Sequence, residues 1–221
     1  MIKISIGKEI REKIPHFIAA TIQAKVENTS YNKILWEEIH HEIARIKKNY
    51  TLETVREQQQ VKATREAYKV LGKDPNRYRP SADGLMRRVV KGNDLYQINT
   101  LVDIINLVAL KKGYSIGGFD ASKISGSPEL GIGEPGEDYE GIGRGKLNIE
   151  NMPVYRDDQG GIGTPTSDHT RTAILDDTSD LLIIINSYSG DEKDLQETSA
   201  LFEVLLEKYA GAREVSIFYY P

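Results

Sequence analysis

The N-terminal residues alternate between apolar and polar side chains, which is the pattern of a β-strand with one buried face. Ile2, Ile4 and Ile6 occupy every second position. Pro15 interrupts the chain, and the apolar run that follows over residues 17–26 predicts a second strand. The chain is therefore expected to begin with a hairpin or with the first strands of a βαβ unit.

Five later segments carry apolar residues three or four positions apart, which is helical spacing. They cover residues 32–48, 52–71, 81–90, 101–110 and 195–209. Glycine follows three of them, at Gly72, Gly113 and Gly211, and glycine is the usual residue where a helix ends in the left-handed conformation. Asn99 or Thr100 is expected to cap the fourth helix.

Glycines and prolines recur every few residues between positions 113 and 163, which predicts short strands joined by tight turns. Further strands are predicted at residues 172–175, 181–185 and 215–219. The second of these is a continuous apolar run, typical of a strand buried on both faces at the centre of a sheet. The pattern predicts an α+β fold, with a mixed or antiparallel β core flanked by helices in a single domain over residues 1–221.

The amino-acid composition indicates the class of protein and the cellular compartment. Hydrophobic residues make up 39% and charged residues 28% of the 221 residues, as in ordinary globular proteins. The absence of cysteine excludes disulfides, thiolate metal sites and a cysteine nucleophile, and it favours a reducing compartment. No signal peptide or apolar stretch of about 20 residues is visible. We therefore expect a cytoplasmic protein with no membrane partner, and the four scattered histidines predict neither a metal site nor a cofactor.

Charge is unevenly distributed along a chain whose formal net charge is −4. Such a balance argues against strong non-specific binding to nucleic acid, so any RNA contact must be a local patch. The segment 62–91 is basic, whereas the segment 129–140 is acidic. The candidate RNA-binding residues are Arg77, Arg79, Arg87, Arg88 and Lys91. The alternative is that these arginines form ion pairs with Asp83 and with the acidic segment.

The segment 157–171 holds the densest collection of reactive side-chain types, set among glycines. Asp168 and His169 are candidates for a catalytic base, since histidine titrates near neutral pH. Neighbours on a strand point to opposite faces, so these two side chains are not expected to form a hydrogen-bonded dyad. A histidine that stabilises a turn or is simply exposed is the alternative. Thr164 is a candidate substrate-binding residue in the same segment.

Arg171 closes this segment and is also a candidate substrate-binding residue. Its planar guanidinium can bind a carboxylate or a phosphate with two parallel hydrogen bonds. The alternative is a structural ion pair with Asp157, Asp158 or Asp168. The sequence leaves both interpretations open.

Two further groups of residues are candidates for the wall of a binding pocket. Asn99, Asp103 and Asn106 fall on one face of the fourth predicted helix, where they can bind a ligand or anchor a neighbouring loop through its backbone. Gly117, Gly118, Phe119 and Asp120 are expected to form a loop, since two glycines allow a ligand to approach the backbone closely. The pocket is then expected between the blocks 99–120 and 160–171.

Three blocks of the chain resemble the tRNA-binding and editing domain of the phenylalanyl-tRNA synthetase β chain, known as the B3/B4 domain. They are NTLVDIINLVALKKGYSIGGFDASKISG, GEPGEDYEGIG, and DDQGGIG followed by TRTAILDDTSDLLIII, and they occur in the order found in that domain. The preceding stretch, GKDPNRYRPSADGLMRRVVKG, is similar to the opening of free-standing members. The resemblance is strongest over residues 65–190.

The resemblance implies both a chemistry and a departure from it. In the synthetase, the module hydrolyses the ester of tyrosine mischarged onto phenylalanine tRNA. Synthetase members usually carry a histidine at the position of Gly117 and a glutamate near Ile184, and this chain has neither. The resemblance thus implies an RNA- or tRNA-binding protein that hydrolyses mischarged aminoacyl-tRNA in trans. The alternatives are a protein that binds an amino-acid-like small molecule without RNA, and an interaction scaffold without chemistry.

Overall fold

The computed structural model describes residues 1–221 and contains six α-helices and ten β-strands. The helices are α1 (Lys8–Lys13), α2 (Lys33–Asn49), α3 (Gln59–Leu71), α4 (Ser81–Val90), α5 (Thr100–Lys112) and α6 (Glu192–Ala210). The strands are β1 (Ser5–Ile6), β2 (Ile18–Lys25), β3 (Ile116–Asp120), β4 (Glu129–Ile132), β5 (Glu140–Gly141), β6 (Gly145–Lys146), β7 (Pro153–Asp157), β8 (Gly160–Gly163), β9 (Asp180–Ser187) and β10 (Arg213–Tyr220). The α+β class predicted from the sequence is confirmed.

Two four-stranded sheets form the β core. One has the order β10-β2-β9-β3 and is antiparallel throughout. The other has the order β1-β4-β7-β8, in which β1 pairs with β4 in parallel and the other pairs are antiparallel. Because β1 and β2 lie in different sheets, the hairpin or βαβ unit predicted at the N-terminus is wrong.

The central strand β9 is buried on both faces, as its apolar run predicts. Leu181, Ile183 and Ile185 point into the larger hydrophobic core, which contains 34 buried residues. Leu182 and Ile184 alternate with them and point into a second core of 14 buried residues. One strand therefore joins two cores, with helices on one side and the second sheet on the other. The single-domain expectation itself stays a prediction.

Helix boundaries follow the capping signals in the sequence. Asn99 caps α5, since its side chain accepts a hydrogen bond from the Val102 N–H. Gly72, Gly113 and Gly211 end α3, α5 and α6 with positive φ angles, a conformation that costs glycine little. None of the six helices is both long and apolar enough to cross a membrane.

Two elements predicted from the sequence do not match the structure, because local hydrogen bonds change the course of the chain. The helix predicted over 52–71 begins only at Gln59, since Gln58 accepts a hydrogen bond from the Val61 N–H and caps α3 there. The strand predicted over 172–175 is wrong, because the chain forms a 3-10 turn at Thr170–Thr172.

Candidate functional site

A small cavity lies where β3 and β9 of one sheet face β7, β8 and the following turn of the other. Its walls include Ser115, Gly117, Phe119, Tyr155, Gly163, Thr164, Pro165, Asp168, Ile184 and Asn186. The cavity thus joins the end of the block 99–120 to the block 160–171, between which the sequence placed a pocket. Strand β9 contributes the back wall.

The ring of Phe119 packs against two glycines of the cavity wall. Its side chain is 1% exposed and lies between two glycines. A Cβ atom added to Gly117 would lie 2.7 Å from Phe119 Cζ, and one added to Gly163 would lie 2.6 Å from the same atom. Glycine is therefore required on both sides of the ring. The cavity that remains has a volume of about 10 Å³, which is room for about one water molecule.

The four residues expected to form a loop are instead strand β3. Gly117 is the cross-strand partner of Ile184, and Gly118 is the partner of Ile183. A Cβ atom on Gly118 would lie 2.3 Å from Ile105 Cδ1, so glycine allows α5 to pack tightly against the sheet. Backbone pairing with β9 places these two glycines in a strand rather than in a loop.

Asp168 is the one carboxyl group in the cavity wall. Its Oδ2 accepts a hydrogen bond from the Gly118 N–H at 3.0 Å, and part of the residue remains accessible to solvent. Burial raises the pKa of this carboxyl group to about 7, and only the Gly118 hydrogen bond opposes the shift. The group therefore exchanges its proton near neutral pH, as a general base requires.

The raised pKa of Asp168 predicts a pH-dependent effect on stability. The folded protein holds this proton up to pH 7, whereas the unfolded chain releases it near pH 4, so stability falls as pH rises between these values. The Asp168→Asn variant lacks this penalty and keeps an acceptor for Gly118. We expect its free energy of unfolding at pH 8 to exceed that of wild type by about 2 kcal/mol. This is half of the free energy that corresponds to raising the pKa from its ordinary value to about 7, because the residue is partly accessible to solvent.

Urea unfolding of both proteins at pH 4 and pH 8 measures this difference. The exposed Asp177→Asn variant is the matched control, since it removes a carboxylate that lies on the surface. A gain that is equal at both pH values would show that the effect comes from packing rather than from ionisation.

His169 lies outside the cavity, against the edge of Tyr139. The two rings are 4.9 Å apart at an angle of 87°. Its Nδ1 accepts a hydrogen bond from the Arg171 N–H at 3.0 Å and so caps the 3-10 turn. Burial and the nearby Arg171 lower the pKa of the imidazole. The structure therefore separates the two candidate bases: Asp168 faces the cavity, and His169 stabilises a turn.

Arg171 makes the structural ion pair that the sequence left as an alternative. Its guanidinium donates to both carboxylate oxygens of Asp157, at 2.7 and 3.1 Å, and to the Lys123 carbonyl. Hydrogen bonds from Arg171 and from the Ser125 N–H hold the pKa of Asp157 below its usual range despite burial. This guanidinium is committed to the fold rather than to a ligand.

Other predicted binding residues also form internal hydrogen bonds. Asp120 accepts from Ser122 and from Thr178, and Lys123 lies 3.3 Å away. Thr164 lines the cavity, but its hydroxyl donates to the Ser167 carbonyl at 2.9 Å. Both side chains therefore fix the turns beside the cavity.

The polar face of α5 lies away from the cavity. Asp103 accepts hydrogen bonds from Trp36 Nε1 at 2.7 Å and from the Ile98 N–H at 3.2 Å. Asn99 caps the helix, and Asn106 is half-buried further along it. None of the three polar residues lines the cavity. Two of them anchor backbone, which is the alternative to ligand binding.

A buried hydrogen-bonded pair in the cavity wall escaped the sequence analysis. The Tyr155 hydroxyl donates a hydrogen bond to Asn186 Oδ1 at 2.7 Å, and both side chains are buried. The signal for Asn186 was a polar residue directly after the apolar run of β9. Tyr155 gave no such signal, since an aromatic residue in a strand is ordinary.

The basic segment is organised around one buried carboxylate. Asp83 is 1% exposed, and its Oδ2 accepts a hydrogen bond from Arg65 Nη1 at 2.7 Å. Arg79 Nε and Arg87 Nε lie 3.6 and 3.9 Å from the same carboxylate. Three guanidinium groups share one negative charge, so pairing with Asp83 leaves a net positive charge here. The acidic residue Glu137 binds Arg156 instead of these arginines.

This basic segment adjoins the rim of the cavity. The Ser81 N–H donates to the Pro165 carbonyl at 2.8 Å, and the Thr166 hydroxyl donates to the Tyr78 carbonyl at 3.3 Å. Pro165 itself lines the cavity. The exposed Arg77 directly precedes Tyr78, which is hydrogen-bonded to the turn that carries Asp168.

Comparisons with known proteins give one family match and a structural match for this fold. A family model described as the B3/4 domain matches residues 63–202, which is more than half of the chain. Among solved structures, an N-terminal fragment of the phenylalanyl-tRNA synthetase β-subunit from Pyrococcus horikoshii superposes with a TM-score of 0.52 at 12% sequence identity. The match covers 98% of this chain and 50% of that one, so the chain spans about half of the fragment. No curated protein matches the sequence.

The family resemblance read from the three sequence blocks is thereby confirmed. The positions at which the resemblance implied a histidine and a glutamate, Gly117 and Ile184, are cross-strand partners in the cavity wall. The chain belongs to the B3/4 domain family.

Proposed function

We propose that this protein binds the aminoacylated end of an RNA and hydrolyses its aminoacyl ester in trans, with the cavity at Asp168 as the reaction site. One observation carries the proposal: a carboxyl group that titrates near pH 7 lies in a glycine-walled cavity whose rim adjoins the basic segment. An unpaired carboxyl group of this kind is typical of a functional site. Membership of the B3/4 family supports the same chemistry.

In the proposed reaction, ionised Asp168 accepts a proton from a water molecule as the water oxygen attacks the ester carbonyl carbon. The tetrahedral intermediate then collapses, and the bond between this carbon and the ribose oxygen breaks. The ribose oxygen takes up the proton from Asp168. The products are a free amino acid and an RNA with a free hydroxyl group, and no covalent enzyme intermediate forms.

For the developing oxyanion, the proposed donors are backbone N–H groups of the glycine-rich walls other than that of Gly118, which already binds Asp168. Two cations close in sequence to the cavity residues are already bound, since Arg171 is paired with Asp157 and Lys123 with Asp120. Backbone dipoles are the proposed substitute for a free cation, and glycine lets a substrate approach them closely.

Substrate entry requires the Phe119 ring to move, because a cavity for one water cannot hold an aminoacyl group. Two positions of its wall, Gly117 and Ile184, carry no polar side-chain atom. A tyrosine hydroxyl therefore finds no hydrogen-bonding partner at these two positions, which weakens its selection. We therefore expect esters of apolar amino acids to be hydrolysed at least as fast as tyrosyl esters.

The proposal is tested with a panel of tRNAs charged with alanine, valine, phenylalanine and tyrosine, and with the free ethyl esters of the same amino acids. Faster release of amino acid than in buffer alone, seen with the tRNAs and not with the free esters, supports it. Equal hydrolysis of free esters would favour the small-molecule alternative, and no hydrolysis of any substrate would contradict a catalytic role.

A separate prediction concerns RNA affinity at the rim. Arg77 is exposed and precedes Tyr78, whose carbonyl binds Thr166 beside the cavity. The Arg77→Ala variant is therefore expected to weaken tRNA binding and to lower the slope of log Kd against log salt by about 0.7–0.9, the value for one phosphate contact. Filter binding over a salt series measures both quantities. The matched control is Arg213→Ala on β10, an exposed arginine whose loss is expected to leave the slope unchanged. Equal slopes for all three proteins would remove Arg77 from the interface.

A further inference from the structure

An exposed aromatic residue with a cation on its face lies at the far end of α4. The Tyr96 side chain is 67% exposed, although a tyrosine of this size usually buries most of its ring. The Arg88 guanidinium carbon lies 4.0 Å from the centroid of the Tyr96 ring. The pair therefore forms a cation–π contact on the protein surface.

The segment that carries Tyr96 has no regular structure, yet many contacts fix it. Leu95 is 8% exposed and anchors the segment in the larger core. The Arg88 Nε donates to the Asp94 carbonyl at 2.6 Å, and the Asn93 N–H donates to the Arg88 carbonyl at 3.1 Å. Tyr96 is thus held outward by its neighbours, at little further cost in conformational entropy when it binds a ligand.

Other exposed apolar side chains extend this surface. Ile98 is 52% exposed and Tyr31 is 50% exposed. Their segments are joined where Gln97 Nε2 donates to the Ser30 carbonyl at 3.3 Å. Exposed apolar side chains gathered in one region are typical of an interaction surface. Lys91 at the end of α4 adds a positive charge suited to a polyanion, and the exposed carboxylate of Asp94 lies 3.7 Å from Lys47.

Helix α4 connects this surface with the cavity. At its N-terminal end the Ala82 N–H faces Ser115 Oγ at 3.3 Å, and Ser115 lines the cavity. Its last turn contains Arg88. The ten residues of α4 span about 15 Å. A strand that ends in the cavity can therefore reach Tyr96 by following one helix.

We propose that Tyr96, with Arg88 on its ring, is a stacking platform for a base of the single-stranded RNA segment that leads into the cavity. This inference rests on the proposed function and names a second contact for the same RNA. An aromatic face beside positive charge is how proteins hold single strands without reading their sequence. A protein partner fits less well, because the segment pairs an exposed aromatic ring with a cation.

The test is fluorescence anisotropy with a labelled single-stranded RNA of about twelve nucleotides, a length within the usual site size. We expect Tyr96→Ala to weaken binding about tenfold and Tyr96→Phe to bind like wild type, since stacking needs the ring and not the hydroxyl. The salt slope of Tyr96→Ala should equal that of wild type, because stacking releases no counterions. Tyr219→Ala, at an exposed tyrosine on β10, is the control and should bind like wild type.

Equal affinity of Tyr96→Ala and wild type would overturn the inference, as would an equal loss in Tyr219→Ala. If wild type binds the oligonucleotide through Tyr96 but deacylates no charged tRNA, the proposed reaction fails and the platform stands. If wild type deacylates tRNA but Tyr96→Ala has no effect on binding, the platform alone is wrong. If no RNA binds even at low salt, both are wrong.

Discussion

Replacing Asp83 by Asn is expected to lower the free energy of unfolding by about 3 kcal/mol, because removing one partner of a buried ion pair leaves an uncompensated charge. The Asp83 carboxylate is almost completely buried, and its oxygens lie 2.7, 3.6 and 3.9 Å from guanidinium nitrogens of Arg65, Arg79 and Arg87. The Arg65 side chain is only 13% exposed, so water cannot readily replace its lost partner. For a chain of 221 residues the midpoint of thermal unfolding should fall by about 6–12 °C.

The Arg79→Ala variant provides the contrast. Its side chain is 40% exposed and lies 3.6 Å from Asp83, and two other guanidinium groups remain after its removal. We expect a change of less than about 1 kcal/mol, as for most partly exposed pairs. Thermal unfolding of both variants measures the two losses of stability. Similar stabilities for Asp83→Asn and wild type would mean that the three arginines are already well solvated.

Replacing Asp168 by Asn is expected to slow deacylation of a charged tRNA at least a hundredfold at pH 8, since a positioned base contributes about 10²–10⁴ to the rate. The amide still accepts the Gly118 N–H, so the cavity should keep its shape. Single-turnover rates, with protein in excess over charged tRNA, separate this loss from any change in product release. The tRNA affinity of the variant should match that of wild type.

His169 provides a test within the same turn. The His169→Asn variant keeps a side-chain acceptor for the Arg171 N–H, and its rate should fall less than tenfold because His169 faces Tyr139 and not the cavity. If instead His169→Asn loses as much activity as Asp168→Asn, the base has been assigned to the wrong residue.

Local patterns predicted five of the six helices, all but the short α1, because caps and spacing are encoded within a few residues. Asn99 and Gly113 mark the two ends of α5, and the structure uses both. The same locality explains the failures. The residues near Gly117 do not predict a strand, because the strand is stabilised by backbone pairing with β9, more than sixty residues later. The strand predicted over 172–175 is replaced by a turn that His169 caps.

The candidate site was predicted in outline and not in detail. Crowding of polar side chains among glycines pointed to the segment that carries Asp168. Which of those side chains faces the cavity depends on the register of two sheets, and a single sequence does not reveal that register. Arg171 and Asp120 looked like ligand-binding groups, yet each is bound by residues distant in sequence, such as Asp157 and Thr178. Side chains fully engaged within the fold are unavailable to a substrate.

The pH dependence of single-turnover deacylation tests the central claim most directly. Asp168 must be ionised to accept a proton, and its pKa is about 7. After subtraction of spontaneous hydrolysis, the wild-type rate is therefore predicted to rise about tenfold per pH unit below pH 7 and to level off above it, while Asp168→Asn stays near zero throughout. A wild-type rate that does not exceed spontaneous hydrolysis at any pH, or one that Asp168→Asn reproduces, would contradict the account.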